Sequence, residues 1–515
     1  MRTLVVVGGG VSGMAAARLL AGARRLGSGG DPAPFSLPGA RVVLLEASSR
    51  LGGKVLTGNV DGVPVELGPD QFLRRDPVAE LWCESLGLGS SLVAPAARVA
   101  GVWSYGALRP LPAGLVLGVP TDLGAVRSSG VVSAEGCARA ALDAALPGEP
   151  LGRAELGLWP AEEADGRSPK GTGERSAGAI LRARLGDEIV DRLVDPLLGG
   201  INAGGVDRLS LSTVAPAVAR ALVGTRQVME PLRPLAPPLY AMRGEGASRT
   251  PSPFFGLAGG LGRLVDAAAA ELDALGVEVR LSSPASKVVL STDGGSPAVV
   301  VLASGEHIEA DGAVLALPPS QAAGLLESSL PAAAGRLASI PSASVTVTTF
   351  AFEAGDVDVP PGWTGFLVPR VEGLLTTAVT FLSQKWPWTL DATGAALGGR
   401  GCRLLLRVSA GRFDDERPGG LGDEELAHRL LAELGQLLAV RGRPRTTHVQ
   451  RWEDAFPQYL PGHAARIRAV LSEVSSTGCL AVAGALLGGI GIPACIASGE
   501  AAAFALSDLA AGRVG

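Results

Sequence analysis

An α/β fold is what this chain predicts, and three observations carry the prediction. Residues 3–7 are an apolar, largely β-branched run of the kind that forms a parallel strand buried on both faces. A glycine-rich turn and a helix-spaced segment follow at once, and residues 41–45 supply a second such strand, which completes a β-α-β unit. Beyond that unit, strand-like and helix-like stretches alternate to the end of the chain, as expected of sheets with helices packed on them plus inserted pieces.

Composition bounds the rest. The 515 residues are 47% apolar and 18% charged, enough to build sizeable cores, and 72 Gly with 37 Pro make the chain loop-rich. A net charge of −5 supplies no positive field for nucleic acid, so no nucleic-acid partner is expected. Cys83, Cys137, Cys402, Cys479 and Cys495 are scattered without a C-x-x-C pair, and the four histidines lack ligand spacing. Neither a metal site nor a disulfide framework is expected, and the chain reads as a reduced, cytoplasmic protein. Two apolar segments imitate membrane signals. Gly8-Gly9-Gly10 breaks the first, and glycines with Pro493 break the charge-free run 478–499, which reads as strand, glycine loop and helix.

The elements follow in order. Helical spacing runs over 14–26, a Gly/Pro/Ser loop over 27–39, and the strand 41–45 ends in Glu46. A turn at Asp61-Gly62 precedes a strand at 63–67, and 77–86 reads as helix. The apolar stretch 108–122 is interrupted by Pro110, Pro112 and Pro120. Helices are expected over 179–198, 211–223, 261–275 and 424–440, and strands over 277–281, 287–290, 298–302, 312–317, 344–352 and 402–408. The resulting division places a nucleotide-binding unit in 1–75, 255–320 and 450–515. A mixed-sheet substrate unit takes 76–108 and 321–449, and a helical insertion takes 109–254, with mobile loops near 150–178 and 227–252.

Chemistry starts at Gly8-x-Gly10-x-x-Gly13, placed between strand and helix with Val11 and Ser12 opening the helix. The first glycine permits the turn, the second lets backbone approach a pyrophosphate, and the third permits close helix packing; the helix N-terminus favours the phosphates. That context makes the unit Rossmann-type. Glu46, at the end of the second strand, suits an adenosine ribose, although it lies 33 residues beyond Gly13 because of the intervening loop.

Glu46-x-x-x-Arg50-x-Gly52-Gly53 resembles the second dinucleotide signature of FAD-dependent amine oxidases, which implies FAD rather than NAD. Glu66-Leu67-Gly68-Pro69-Asp70, the stretch from Asp195 to Leu211, Gly365-Phe366-Leu367-Val368-Pro369, Arg451-Trp452, Pro457-Gln458-Tyr459 and Gly489 to Ile496 are similar to the porphyrinogen oxidases within that superfamily, from end to end of the chain. The resemblance implies that Ala47, Lys54, Gly68, Pro69, Trp452, Gly484, Gly491, Ile492 and Pro493 join Gly8, Gly10, Val11, Ser12, Gly13, Glu46, Arg50, Gly52 and Gly53 around FAD. Asn202, Phe366, Arg74 and Arg109 are the substrate candidates. This sequence departs from the family pattern at Asn202, Gly205, Leu486 or Leu487, and Ala494.

The implied activity is oxidation of a porphyrinogen to a porphyrin by oxygen in haem synthesis, with hydrogen peroxide released. Pyrrole nitrogens can shed their own protons, so no side-chain base is assigned. Coproporphyrinogen III is favoured over protoporphyrinogen IX, because the protoporphyrinogen branch often carries an Arg where Ala100 stands here. The preponderance of Arg over Lys also suggests a high-GC bacterium, whose relatives use the coproporphyrinogen route. The rivals are an amine oxidase or desaturase, and a non-catalytic binding protein of the same fold, against which the intact Arg50-x-Gly52-Gly53 argues. A homodimer, and a peripheral contact of 108–122 with the inner face of the membrane, are left open.

Overall fold

The computed structural model describes residues 2–26, 39–74, 76–158, 173–236, 252–290, 297–386, 388–389 and 403–510. Much of the two loops expected to be mobile, at 159–172 and 237–251, therefore lies outside the described residues, as does Cys402.

Two sheets organise the molecule. The first holds five parallel strands in the order Glu278–Arg280, Arg41–Leu45, Thr3–Val7, Gly312–Leu315, Leu480–Val482. Its middle strands are almost wholly apolar because helices cover both faces. The helices Val11–Leu20 and Ile492–Ala510 pack together on one face, where Gly499 is required: a Cβ there would stand 2.1 Å from the Ser12 carbonyl oxygen. The helices Pro319–Leu326, Pro331–Ala338 and His463–Ser475 cover the other face, with an antiparallel three-stranded meander inserted at 285–310.

The second sheet is mixed and seven-stranded. Its order is Thr446–Pro457, Ser342–Glu353, Arg403–Ala410, Thr376–Phe381, Trp363–Leu367, Val99–Ser104, Ala107–Pro110. One face is sealed by the helix Asp423–Leu437, whose Leu426, Leu430, Leu434 and Leu437 meet Phe350, Phe352, Phe366 and Phe381. The other face turns toward the nucleotide unit, where Ala351 and Leu405 pack against the hairpin Thr57–Val60/Val63–Glu66.

Several boundaries move from their sequence-based places, each for a local reason. The first helix stops at Leu20 because Gly22, at φ +99°, turns the chain out. The segment 179–198 breaks at Gly186, φ +87°, and residues Val190–Gly199 wind as a wider π-helix with Pro196 inside. Pro216 splits 211–223 into Leu211–Val214 and Pro216–Leu222. Helices within 319–338 pack against the five-stranded sheet, so that part of 321–449 belongs to the nucleotide unit, while strand Thr446–Pro457 belongs to the large sheet and carries the boundary at 450 with it. The apolar stretch 108–122 mostly packs into the helical insertion; Val116 and Val119 are buried, and Leu117 is exposed.

Candidate functional site

The nucleotide site is built where strand Thr3–Val7 meets its helix. Gly8 turns at φ +106° with its α-carbon pressed against strand Gly312–Leu315: a Cβ would lie 2.4 Å from the Ala316 oxygen. At Gly13 a Cβ would lie 1.8 Å from the Gly8 oxygen, so close packing of helix on turn excludes any side chain. Gly10 differs. The nearest atom to its Cβ position is the Gly53 α-carbon at 4.0 Å, so the space above Gly10 is open. Two of the glycines serve the fold and the middle one keeps a cradle clear.

The cradle's rim is equally specific. Glu46 accepts from the Gly9 N–H at 2.7 Å through Oε2 and from the Ser48 N–H at 2.8 Å through Oε1, which fixes its carboxylate and leaves lone pairs for hydroxyl donors. Ala47 is exposed beside it. Gly52 and Gly53, at φ +97° and +56°, bring their loop against the first, with the Gly52 N–H on the Gly9 oxygen at 2.8 Å. Arg50 braces that loop: its terminal nitrogens donate to the carbonyls of Leu51, Val55 and Gly53 at 3.0, 3.2 and 2.5 Å. Burial lowers its pKa while Glu46 raises it. In the chain without its cofactor Arg50 thus supports the glycine loop, at the edge of the cradle. Lys54 follows, its pKa pushed down by burial, and its ammonium has no hydrogen-bond acceptor among the described residues. Gly68 lies directly over this loop, since a Cβ there would be 1.9 Å from the Lys54 oxygen.

The C-terminal segment closes the same region. Gly484, at φ +113°, donates its N–H to Ser498 Oγ at 3.0 Å, and that hydroxyl lies 3.5 Å from Ser12 Oγ. The helix Ile492–Ala510 begins with Pro493 in its first turn, just after Gly491, and brings the half-buried Cys495 thiol near Ser12 and Lys54. Two helix N-termini and an unpartnered ammonium thus converge on a space that a Cβ at Gly10 would enter. These residues fit the pyrophosphate, ribose and ring system of a dinucleotide.

Trp452 joins the nucleotide unit to the large sheet, its indole N–H donating to the Leu67 oxygen at 2.7 Å, next to Gly68-Pro69. The sheet face turned this way carries Val345, Thr349, Arg407, Ser409, Ala378, Thr380, Leu367 and Ala100, set by the strand register. Most are partly exposed in mid-sheet, where the opposite face is sealed, so this face borders a cleft.

The substrate candidates do not gather there. Phe366 points the other way, 3% exposed and 5.9 Å from the Phe381 ring in the core beneath Asp423–Leu437; its neighbours Gly365 and Leu367 face the cleft, because side chains alternate along a strand. Asn202 is 4% exposed, its side-chain amide N–H donating to the Leu198 oxygen and its backbone carbonyl accepting from the Gln458 side chain. Arg74 pairs with Glu80 at 3.5 Å and lies over Phe255, and Arg109 donates to the Ser104 oxygen. His463 is a core residue at the first position of its helix, wholly buried beside Tyr459, and burial holds its pKa down at about 4.

Sequence reasoning passed over a buried charge cluster between the two units. Glu66 accepts from the Leu261 N–H and from Thr57 Oγ1, and burial raises its pKa to about 7. Asp70 pairs with Lys385, and Arg407 lies near both carboxylates. The pairings join residues over 300 positions apart, so no local spacing could have announced them.

This arrangement defines a dinucleotide-binding flavoprotein of the oxidase type. The chain belongs to the flavin-containing amine oxidoreductase family, whose model matches residues 11–506, and its cofactor is FAD. It is 32% identical over 503 residues to coproporphyrinogen III oxidase of Bacillus subtilis strain 168, covering 97% of this chain and 96% of that protein. It is 34% identical over 541 residues to the enzyme of the same name from Propionibacterium freudenreichii, covering 98% and 91%. A crystal structure from Exiguobacterium sp. 255-15, provisionally named a protoporphyrinogen oxidase, superposes with a TM-score of 0.77 at 28% identity, covering 99% of each chain. A putrescine oxidase at 17% identity and TM-score 0.64 shares the fold.

Proposed function

We propose that this protein oxidises coproporphyrinogen III to coproporphyrin III with three molecules of oxygen, releasing three of hydrogen peroxide. The observation that supports it most is the pairing of an open dinucleotide cradle with a sheet face of small side chains, in a chain that matches enzymes of that name over nearly its whole length. FAD, when bound, supplies the two-electron chemistry and passes the electrons to oxygen. Gly10, Glu46 and the two helix N-termini would hold its nucleotide half, and Lys54, Gly68 and Trp452 would flank the rest. The sheet face from Ala100 to Ser409 would receive the macrocycle.

No buried histidine or carboxylate is needed as a base, because the pyrrole nitrogens release their own protons. His463 could not serve: it is walled into the core, and its low pKa keeps it neutral. Among the described residues no helix is long and apolar enough to cross a membrane. A cytoplasmic location, with or without a peripheral membrane contact, and a homodimer belong to this reading.

Purified protein carrying FAD should convert coproporphyrinogen III under air to fluorescent porphyrin with equimolar oxygen uptake and peroxide. The alternative substrate is protoporphyrinogen IX, which a chloroplast relative from Arabidopsis thaliana is named for, at 27% identity. A clearly higher kcat/KM for protoporphyrinogen would transfer the assignment to it.

A further inference from the structure

Several of the most enclosed guanidinium groups in this molecule are closed off by carboxylates. Arg18, 3% exposed, pairs with Glu271 at 2.9 Å and reaches Glu500; Arg184 pairs with Asp143 at 3.1 Å; Arg192 pairs with Glu372 at 2.7 Å. Such closure is expected, since a buried charge without a hydrogen-bonded partner is costly.

Two arginines, one on the strand Arg403–Ala410 and one just past its end, are less tightly closed. Arg407 stands in the middle of the cleft-facing side of strand Arg403–Ala410, opposite Thr349 and Thr380. Glu66 and Asp70 lie near it, but among the described residues no carboxylate oxygen comes within 4 Å; its one hydrogen bond is a long 3.5 Å contact to the Glu66 backbone carbonyl, and its Nε is buried without an acceptor. Arg412 follows at the strand's exit with its side chain 9% exposed. Its nearest carboxylate, Asp195, is 3.7 Å away, beyond hydrogen-bond reach. Burial and the neighbouring Arg370 both lower its pKa. Arg412 lines a cavity of about 780 Å³ that also reaches Trp452. Other carboxylates at that cavity are exposed at its mouth or engaged elsewhere, Asp414 with Arg208 at 2.9 Å and Asp415 with Arg417 at 2.7 Å.

We propose that Arg407 and Arg412 are the carboxylate anchors of the substrate, a two-arginine clamp that selects a polycarboxylate macrocycle lying across Ser409. This rests on the porphyrinogen reading above. The two α-carbons, five residues apart, lie at most about 17 Å from one another, and Gly411, at φ +89°, turns the chain between them so that Arg412 is not held to the face strict alternation would give it; two long side chains on that base can reach opposite edges of a tetrapyrrole bearing propionates. A guanidinium presents paired N–H donors to a carboxylate, which accounts for arginine at both positions. A diacid macrocycle would leave more of these donors unmet than a tetra-acid.

The test uses the FAD-loaded enzyme and the variants Arg407→Gln, Arg412→Gln and Arg412→Lys, with flavin content and thermal midpoint checked first. For the Gln variants, KM for coproporphyrinogen III should rise roughly 10- to 100-fold with kcat changed far less, while KM for protoporphyrinogen rises less. Arg412→Lys should recover part of the loss. Quenching of porphyrin fluorescence gives a second readout: the wild type should bind coproporphyrin III more tightly than its tetramethyl ester, and the Gln variants should lose that preference. Unchanged KM and unchanged acid-over-ester preference in both Gln variants overturn the clamp, as does an equal loss for acid and ester. If Arg412→Gln fails to hold flavin, Arg412→Lys and Arg407→Gln carry the decision. A wild type that oxidises no porphyrinogen refutes the function instead, a result separate from the acid-over-ester comparison.

Discussion

Asp70 Oδ2 lies 2.6 Å from Lys385 Nζ, and the Trp386 indole N–H approaches the same oxygen at 3.4 Å. The pair bolts the loop after strand Val63–Glu66 to the short helix Leu382–Lys385, and hence the nucleotide unit to the large sheet. Burial works against the Asp70 charge, but Lys385, Arg407 and the two hydrogen bonds outweigh it and hold the carboxyl below its ordinary range. Replacing Lys385 with Met strands a buried carboxylate and should cost about 3–5 kcal/mol. The double variant Asp70→Asn/Lys385→Met should recover most of that. Urea unfolding of the three proteins checks it, and a single variant as stable as wild type would show the pair to be dispensable.

Glu66 should make stability depend on pH. Its folded pKa of about 7 lies above the ordinary 4.5, so between those values the native state keeps a proton that the unfolded chain releases. Its contribution is fully present below pH 4.5 and declines as pH rises to about 7, by up to about 3 kcal/mol. Glu66→Gln, which can still accept from Leu261, should flatten that decline. Parallel pH profiles for the two proteins would count against this assignment.

The glycines of the first turn should fail in different ways. Gly10→Val meets open space in the protein and should leave the thermal midpoint of apoprotein near wild type while abolishing flavin binding. Gly13→Ala collides with the Gly8 oxygen and should lower the midpoint or prevent folding. Flavin absorbance and circular dichroism separate the outcomes; a yellow Gly10→Val protein would remove the cradle from its assigned place.

Glu46→Ala removes an acceptor already fixed by two backbone N–H groups. FAD affinity should fall by about 1.5–3 kcal/mol, the range for a charged hydrogen bond. Titration of apoprotein with FAD reads this directly, and an unchanged dissociation constant would exclude Glu46 as a ribose ligand.

Much of the cofactor site was legible because its signals are local. Thr3 to Gly13 states a strand, a turn and a helix in sequence, and Arg50-x-Gly52-Gly53 lies within one loop. Even there the part played by Arg50 was hidden, since spacing does not say whether a guanidinium points outward or back to its own carbonyls. The substrate side was less legible for a geometric reason. Phe366 and Leu367 are adjacent in a conspicuous motif, yet only the sheet's register decides which faces the cleft. Arg407 and Arg412 sit among 41 arginines in a sequence of biased composition, and only the folded structure shows that neither has a carboxylate within hydrogen-bond distance.

The order of strands in the five-stranded sheet has a consequence for biosynthesis. Its central strand, Thr3–Val7, is made before the other four, yet one neighbour is Gly312–Leu315 and the outermost partner is Leu480–Val482. The helix that abuts Ser12 and Lys54 comes later still, from Ile492 onward. Pairings this distant form slowly and only once the intervening chain exists. The nucleotide pocket is therefore unfinished, and unable to hold its flavin, until the segment from Ile492 onward has been made. A transcript cut short anywhere before the last helix yields a product that remains colourless, however well its other domains fold.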